Sequence, residues 1–162
     1  MKINKIYSLL GLCVILLLAN RCTMAAPSAD TLRASLLQPY GRFAWNNHSD
    51  LELISSAVHF GFRFSGTTFS IQAHLSDPGG HNYLQYTIDG EYQRRIKIQG
   101  NSRQLLIIGG LAKGQHTIWI YKATEATTGP VFVEYIVAHD AAPLRVPDLP
   151  LIEFIGNSIT CG

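Results

Sequence analysis

Cysteine is scarce in this chain, and scarcest where it would matter. Of the three cysteines, Cys13 and Cys22 lie in or beside an amino-terminal apolar segment, which leaves Cys161 alone in the body. A disulfide framework is thereby excluded. Cys161 has no histidine near it in sequence and is expected to pack rather than to react. Ligand pairs of the kind that hold zinc are also lacking. The six histidines, His48, His59, His74, His81, His116 and His139, stand singly, so no metal and no cofactor is expected. A run of about 20 apolar residues, the length of a membrane span, is missing too.

What the amino terminus offers instead is Ser8–Ala19, twelve mostly apolar residues behind the cations Lys2 and Lys5. Thr23-Met24-Ala25 follows, with small residues at the two positions a signal peptidase reads. Residues 1–25 therefore read as a secretory signal peptide, cut after Ala25 or Ala26, and the product as secreted, extracellular or periplasmic. A lipoprotein alternative would anchor the chain through Cys22, but Asn20-Arg21 before it are neither small nor apolar. The formal charge of +2 belongs to this leader. Of the 13 basic residues Lys2, Lys5 and Arg21 leave with it, so 10 remain against 11 acids. No nucleic-acid or anionic-membrane partner is implied.

Residues 27–140 are one domain's worth of sequence. A helical period is missing apart from a weak stripe at Ala29–Leu37, which predicts one short helical turn. The rest is β. A first strand is expected at Gly41–Trp45. Ala57–Phe64 alternates, with Val58, Phe60, Phe62 and Phe64 on one face and His59, Gly61 and Arg63 on the other. Ser65-Gly66 predicts a turn, and Thr67–Leu75 alternates again with Phe69, Ile71, Ala73 and Leu75 inward. Tyr83–Ile88 and Tyr92–Ile98 flank Asp89-Gly90, a hairpin signal because both turn residues accept positive φ. Arg103–Ile108, Thr117–Tyr121 and Val131–Val137 complete about eight short strands. That count, with turn signals between, predicts an all-β antiparallel sandwich or barrel. His59 and His74 are expected on solvated faces, His81 on an open loop, and His116 against a nearby backbone group. Lys122 and Glu125 read as a solvated surface pair.

Residues 141–150, with three prolines, read as a semi-rigid linker. Leu151–Ile155 is then a short apolar strand, broken by Gly156-Asn157-Ser158. A glycine turn followed by a small hydroxyl residue, where strand gives way to helix, is how a serine nucleophile is presented. Ser158 is the candidate catalytic residue, its own N–H an oxyanion donor. The Gly-x-Ser-x-Gly elbow is not met, because Thr160 stands at the second glycine.

Phe154–Gly162 resembles the first block of the SGNH (GDSL-type) hydrolases, and in particular the acetyl xylan esterases of carbohydrate esterase family 2. Asn157 stands where many members have Asp. The resemblance extends to Tyr86-Thr87-Ile88-Asp89-Gly90, to Gly110-Leu111-Ala112-Lys113-Gly114-Gln115-His116-Thr117 and to Lys122-Ala123-Thr124-Glu125-Ala126. It implies a jelly-roll-like β-sandwich, then the first strand of a truncated α/β SGNH hydrolase domain at 151–162. It further implies deacetylation of xylan or another plant polysaccharide, with acetylated polysaccharide as substrate. The base and the remaining oxyanion-hole residues would come from the missing carboxyl-terminal hydrolase domain, the chain's covalent partner, so residues 1–162 alone are expected to be inactive. The alternative is a secreted carbohydrate-binding or structural sandwich without catalysis. An exposed row among Tyr83, Tyr86, Tyr92, Trp119, Tyr121, Phe132 and Tyr135 would then stack on sugar rings.

Overall fold

The computed structural model describes residues 29–145. Two long strands organise them. β4 (His59–His74) and β10 (Val131–Leu144) pair antiparallel along most of their lengths. Each takes part in two layers. In the first layer, the early part of β10 pairs with β3 (Leu51–Leu53) and β1 (Asp30–Arg33), while the late part of β4 pairs with β8 (Gln104–Gly109). β2 (Phe43–Trp45) closes this layer beyond β3. In the second layer, the early part of β4 pairs with β9 (Gln115–Lys122), β9 with β5 (His81–Ile88), and β5 with β6 (Glu91–Tyr92) and β7 (Ile96–Gln99). Every pairing is antiparallel, and the ten strands form one hydrogen-bonded network folded into a sandwich.

The fold-over happens inside the long strands. Extended chain would put Phe62 and Phe69 about 23 Å apart, yet their rings meet at 5.3 Å. Between the pairs His139↔Ser65 and Val137↔Ser70, residues 66–69 of β4 stand against Ala138 alone. Gly66 carries this corner at φ +127°, where a Cβ would be strained. β10 bends next to it, with Asp140 at φ +53°. The expected turn at Ser65-Gly66 therefore bends the chain without ending the strand. The inward face shifts there from even positions (Phe60, Phe62, Phe64) to odd ones (Phe69, Ile71, Ala73), all buried as the alternation predicts. Phe62, Phe64 and Phe69 form the aromatic centre of the core, joined by Leu51, Ile118, Ile120 and Ile136.

Four other expectations are revised. β1 and β3 were not foreseen, because three or four residues are too few to show a period. Ala29–Leu37 holds a strand and then a 3-10 turn at Ala34–Leu36. Tyr92–Ile98 is broken into β6 and β7 by residues 93–95. Ala141–Leu144, read as the start of a linker, continues β10 against Arg63, Phe62 and Gly61. Pro143 is accepted there because this end of β10 has one partner strand among the described residues, so its missing N–H can face the open edge. The Asp89-Gly90 hairpin is as read, with both residues at positive φ and Ile88 paired to Glu91.

Candidate functional site

β9 is the middle strand of the second layer, and its two faces differ in chemistry. Its inward residues are His116, Ile118, Ile120 and Lys122, all buried. Lys122, with Glu125 read as a solvated pair, is 1% exposed. Its Nζ donates to the carbonyl oxygens of Thr124 at 2.8 Å and Glu125 at 2.6 Å, with Thr128 Oγ1 at 3.4 Å. Burial lowers its pKa, and the Glu125 charge partly offsets this. Beside it Asn82, fully buried, donates from Nδ2 to the carbonyls of Thr128 and Gly129, and its Oδ1 accepts from the Thr124 hydroxyl. The loop after β9 is thus folded back over an ammonium and an amide whose hydrogen-bonding capacity it consumes. A Lys-x-Thr-Glu segment shows none of this in sequence, because Asn82 arrives from a distant strand.

At the other end of β9, His116 is held between two acceptors. Its Nε2 lies 2.9 Å from the carbonyl of Ala112 and its Nδ1 2.7 Å from Asp89 Oδ2. These contacts raise the histidine's pKa, the Ala112 carbonyl contributing most and the carboxylate next. The Asp89 pKa is lowered, first by the Thr117 N–H that donates to Oδ1 at 2.8 Å, then by His116. The expected backbone contact of His116 is present, and the turn residue Asp89 adds a charge.

The outward face of the same layer is aromatic, with Trp119 and Tyr121 half-buried and Tyr40 and Tyr92 exposed. Trp119 lies against Gly61, its cross-strand neighbour. A Cβ at Gly61 would sit 2.7–2.9 Å from three atoms of the indole at once, so the ring rests face-down on the strand. His59, expected on a solvated face, is half-buried among Tyr40, Trp119 and Tyr121, with ring centroids 5.0–5.8 Å apart. Its Nδ1 lies 2.9 Å from the carbonyl of Ala57. Tyr92, opposite Thr87, is 74% exposed and Tyr40 41%. Burial raises the Tyr121 pKa, and the phenol of Tyr92 adds to the shift. Of the aromatics proposed as a row, Tyr86 faces inward opposite Ile120, while Phe132 and Tyr135 belong to the first layer. Tyr83, Tyr92, Trp119 and Tyr121 remain.

Ser158, the candidate nucleophile, lies outside the described residues, as do Cys161, Cys22, residues 1–25 read as a signal peptide, and the second half of the linker, 146–150. His74, expected in solvent, stacks on Phe132 at 5.0 Å, its Nδ1 lying 3.2 Å from Glu134 Oε1 without hydrogen-bond geometry. Glu134 takes a 2.7 Å hydrogen bond from Arg103. His81 is exposed at the start of β5. Asp30, His139 and Asp140 bring donor atoms within 4.8 Å of one another, a grouping that single histidines in the sequence do not announce. Asp30 Oδ2 is already occupied by the N–H of Asp140 at 3.1 Å. Among the described residues no helix is long and apolar enough to cross a membrane.

Comparison with known proteins finds this antiparallel sandwich again in carbohydrate esterases. The model of the carbohydrate esterase 2 N-terminal domain matches residues 40–147, and the chain belongs to this family. The cellulase/esterase CelE of Acetivibrio thermocellus is 30% identical over 125 residues, 75% of this chain and 15% of CelE. A family two carbohydrate esterase from Cellvibrio japonicus superposes with a TM-score of 0.62 at 20% identity, over 77% of this chain and 37% of that one. A family two carbohydrate esterase from Clostridium thermocellum, solved in complex with cellohexaose, gives 0.57 at 26% identity, over 69% and 34%. The chain thus spans about a third of the solved esterases, and less of CelE.

Proposed function

We propose that this chain is the amino-terminal part of an exported acetyl esterase acting on acetylated xylan or a related plant polysaccharide, with Ser158 as nucleophile. The observation that carries the reading is position. The family match runs to residue 147, and the Gly156-Asn157-Ser158-Ile159-Thr160 segment follows it where the first hydrolase strand would begin. In this mechanism Ser158 Oγ attacks the acetyl carbonyl, its proton passes to a base, and the sugar hydroxyl leaves with a proton. Water then releases acetate from the acyl-serine. The Ser158 N–H contributes to the oxyanion site. The base and further oxyanion donors belong to the hydrolase domain, so residues 1–162 alone do not turn over ester. The jelly-roll-like sandwich serves that domain as its amino-terminal module, and the product is secreted through residues 1–25.

The test is acetate release from acetylated xylan by the protein carrying its hydrolase domain. Ser158→Ala is expected to remove activity by at least about 10³-fold while leaving the sandwich folded. Retained activity would assign the chemistry elsewhere, and Ser158-dependent turnover by residues 1–162 alone would overturn the division of labour.

A further inference from the structure

The outward face of the second layer is not explained by the fold. Trp119 lies flat on Gly61, and Tyr92 stands exposed in the same cross-strand row, Gly61↔Trp119↔Thr87↔Tyr92. Trp119 and Tyr92 are two strands apart, about 10 Å. One row along, His59, Tyr121 and Gln85 are cross-strand neighbours, with Tyr40 beside His59. Flat aromatic rings offer π-faces to the axial C–H groups of a pyranose. The polar atoms a sugar's hydroxyls need lie between them. Gln85 uses its Nε2 on the carbonyls of Tyr86 and Gln93, and its Oε1 has no donor among the described residues. The phenol oxygens of Tyr40, Tyr92 and Tyr121 donate to no protein group among the described residues.

Charge narrows the ligand further. No outward position on β9, on β5 or on the early part of β4 carries a carboxylate; Asp89, paired with His116, and Glu91, beside Tyr92, stand at the hairpin end, and Arg63 is exposed without an ion pair among the described residues. Lys97 stands opposite Tyr83 on the same side. Such a face repels a polycation and complements carboxylates along a chain. The contrast with the first layer supports this, because there the outward Glu134 is engaged by Arg103. A protein docking on this face would need more continuous apolar surface than rings separated by Gln85, Thr87, Thr117 and Arg63 provide.

We propose that the outward face of β4, β9 and β5 is a glycan-binding platform for an extended chain of pyranose rings bearing uronate groups. Trp119, Tyr92 and Tyr121 stack on the rings, and Arg63 pairs with a carboxylate. The proposal takes only the class of ligand from the esterase reading and is independent of Ser158. In the intact enzyme it would hold a polymer while acetyl groups elsewhere on it are removed.

The experiment is affinity electrophoresis and fluorescence titration of the whole chain against glucuronoxylan, the same xylan with its carboxyl groups reduced, and chitosan. Trp45→Phe, which leaves Trp119 as sole emitter, provides the background. Retention by both xylans, stronger for the acidic one and absent for chitosan, is expected, with a change in Trp119 emission. Tyr92→Ala, at an exposed position that should not affect folding, is expected to weaken binding roughly tenfold. Arg63→Gln should lower affinity about two- to fivefold for glucuronoxylan alone and remove its salt dependence. No retention on any glycan, or retention unaffected by Tyr92→Ala and Trp119→Ala in folded variants, overturns the platform. Neither result bears on Ser158, whose reading would fail instead through acetate release that survives Ser158→Ala.

Discussion

The two faces of β9 can be set against each other residue by residue. Inward, Lys122 and Asn82 are polar groups whose partners all come from the same chain, placed there by the loop that follows the strand. Outward, Trp119 and Tyr121 pack half-buried around His59 while Tyr92 stands exposed, and the phenol oxygens of Tyr40, Tyr92 and Tyr121 have no hydrogen-bond partner among the described residues. The same strand thus encloses one set of polar groups and leaves the other open. A buried polar group with its hydrogen bonds complete is a device of folding; an exposed aromatic with none is available to something else.

The comparison can be broken from the inside first. Lys122→Met keeps the length of the side chain but removes the donors to the carbonyls of Thr124 and Glu125. The Thr124 carbonyl is left with no other partner among the described residues, while the Glu125 carbonyl keeps the Thr128 hydroxyl at 2.7 Å, and a loss of about 2–3 kcal/mol in unfolding free energy is expected. A urea midpoint measures it. An unchanged midpoint would mean that water reaches the loop as easily as the ammonium does. From the outside, Gly61→Ala drives a methyl group into the indole of Trp119. The expected cost is about 1–3 kcal/mol, with a shift in Trp119 emission in the Trp45→Phe background. An unshifted spectrum would show that the ring never lay on the strand.

The smallest effect sharpens the boundary between the two faces, at the His116–Asp89 pair. Asp89→Asn keeps a residue tolerant of positive φ in the turn and removes the charge. The raised His116 pKa contributes stability that is complete below the ordinary histidine value of about 6.5 and is lost as pH rises through the folded value. The lowered Asp89 pKa contributes above the ordinary carboxylate value of about 3.9 and is lost as pH falls through the folded value. The gap in Tm between the natural chain and Asp89→Asn should therefore be widest between about pH 4 and 6.5 and narrow above it. Asp89 is half exposed, so the underlying difference in unfolding free energy stays below about 1 kcal/mol. A gap that grows above pH 7 would show that the pair is not what the substitution breaks.

How much of this could be read beforehand depended on whether the signal was local. Alternation in Ala57–Phe64 and Thr67–Leu75 identified eight inward residues, because a period of two is a property of each strand alone. Asp89-Gly90 was equally legible, since positive φ is a demand on those two residues. The corner at Gly66 was not. Ser-Gly reads the same whether a strand ends or bends, and the difference lies in β8, β9 and β10, which pair on either side of it. Lys122 failed for a similar reason. Nothing near it in sequence announces that Asn82 and the loop 124–129 will close over it. The aromatic face was half legible, for alternation separates Trp119 and Tyr121 from Ile118 and Ile120, whereas the inward turn of Tyr86 depends on register with β9. Ser158 is a proposal from motif and position alone, and it lies outside the described residues.

The corner has a further consequence, for the way the molecule comes apart. Because β4 and β10 each run through both layers, the sandwich has no seam along which one sheet could leave the other intact. Losing either layer frees half of each long strand and strips the partner layer of its central pairing. Local opening is thereby tied to global unfolding. The chain must also bring residues near 60 and 140 together before either sheet has a centre, a non-local closure that slows folding. A fold of this kind is late to assemble and, once assembled, opens as a whole.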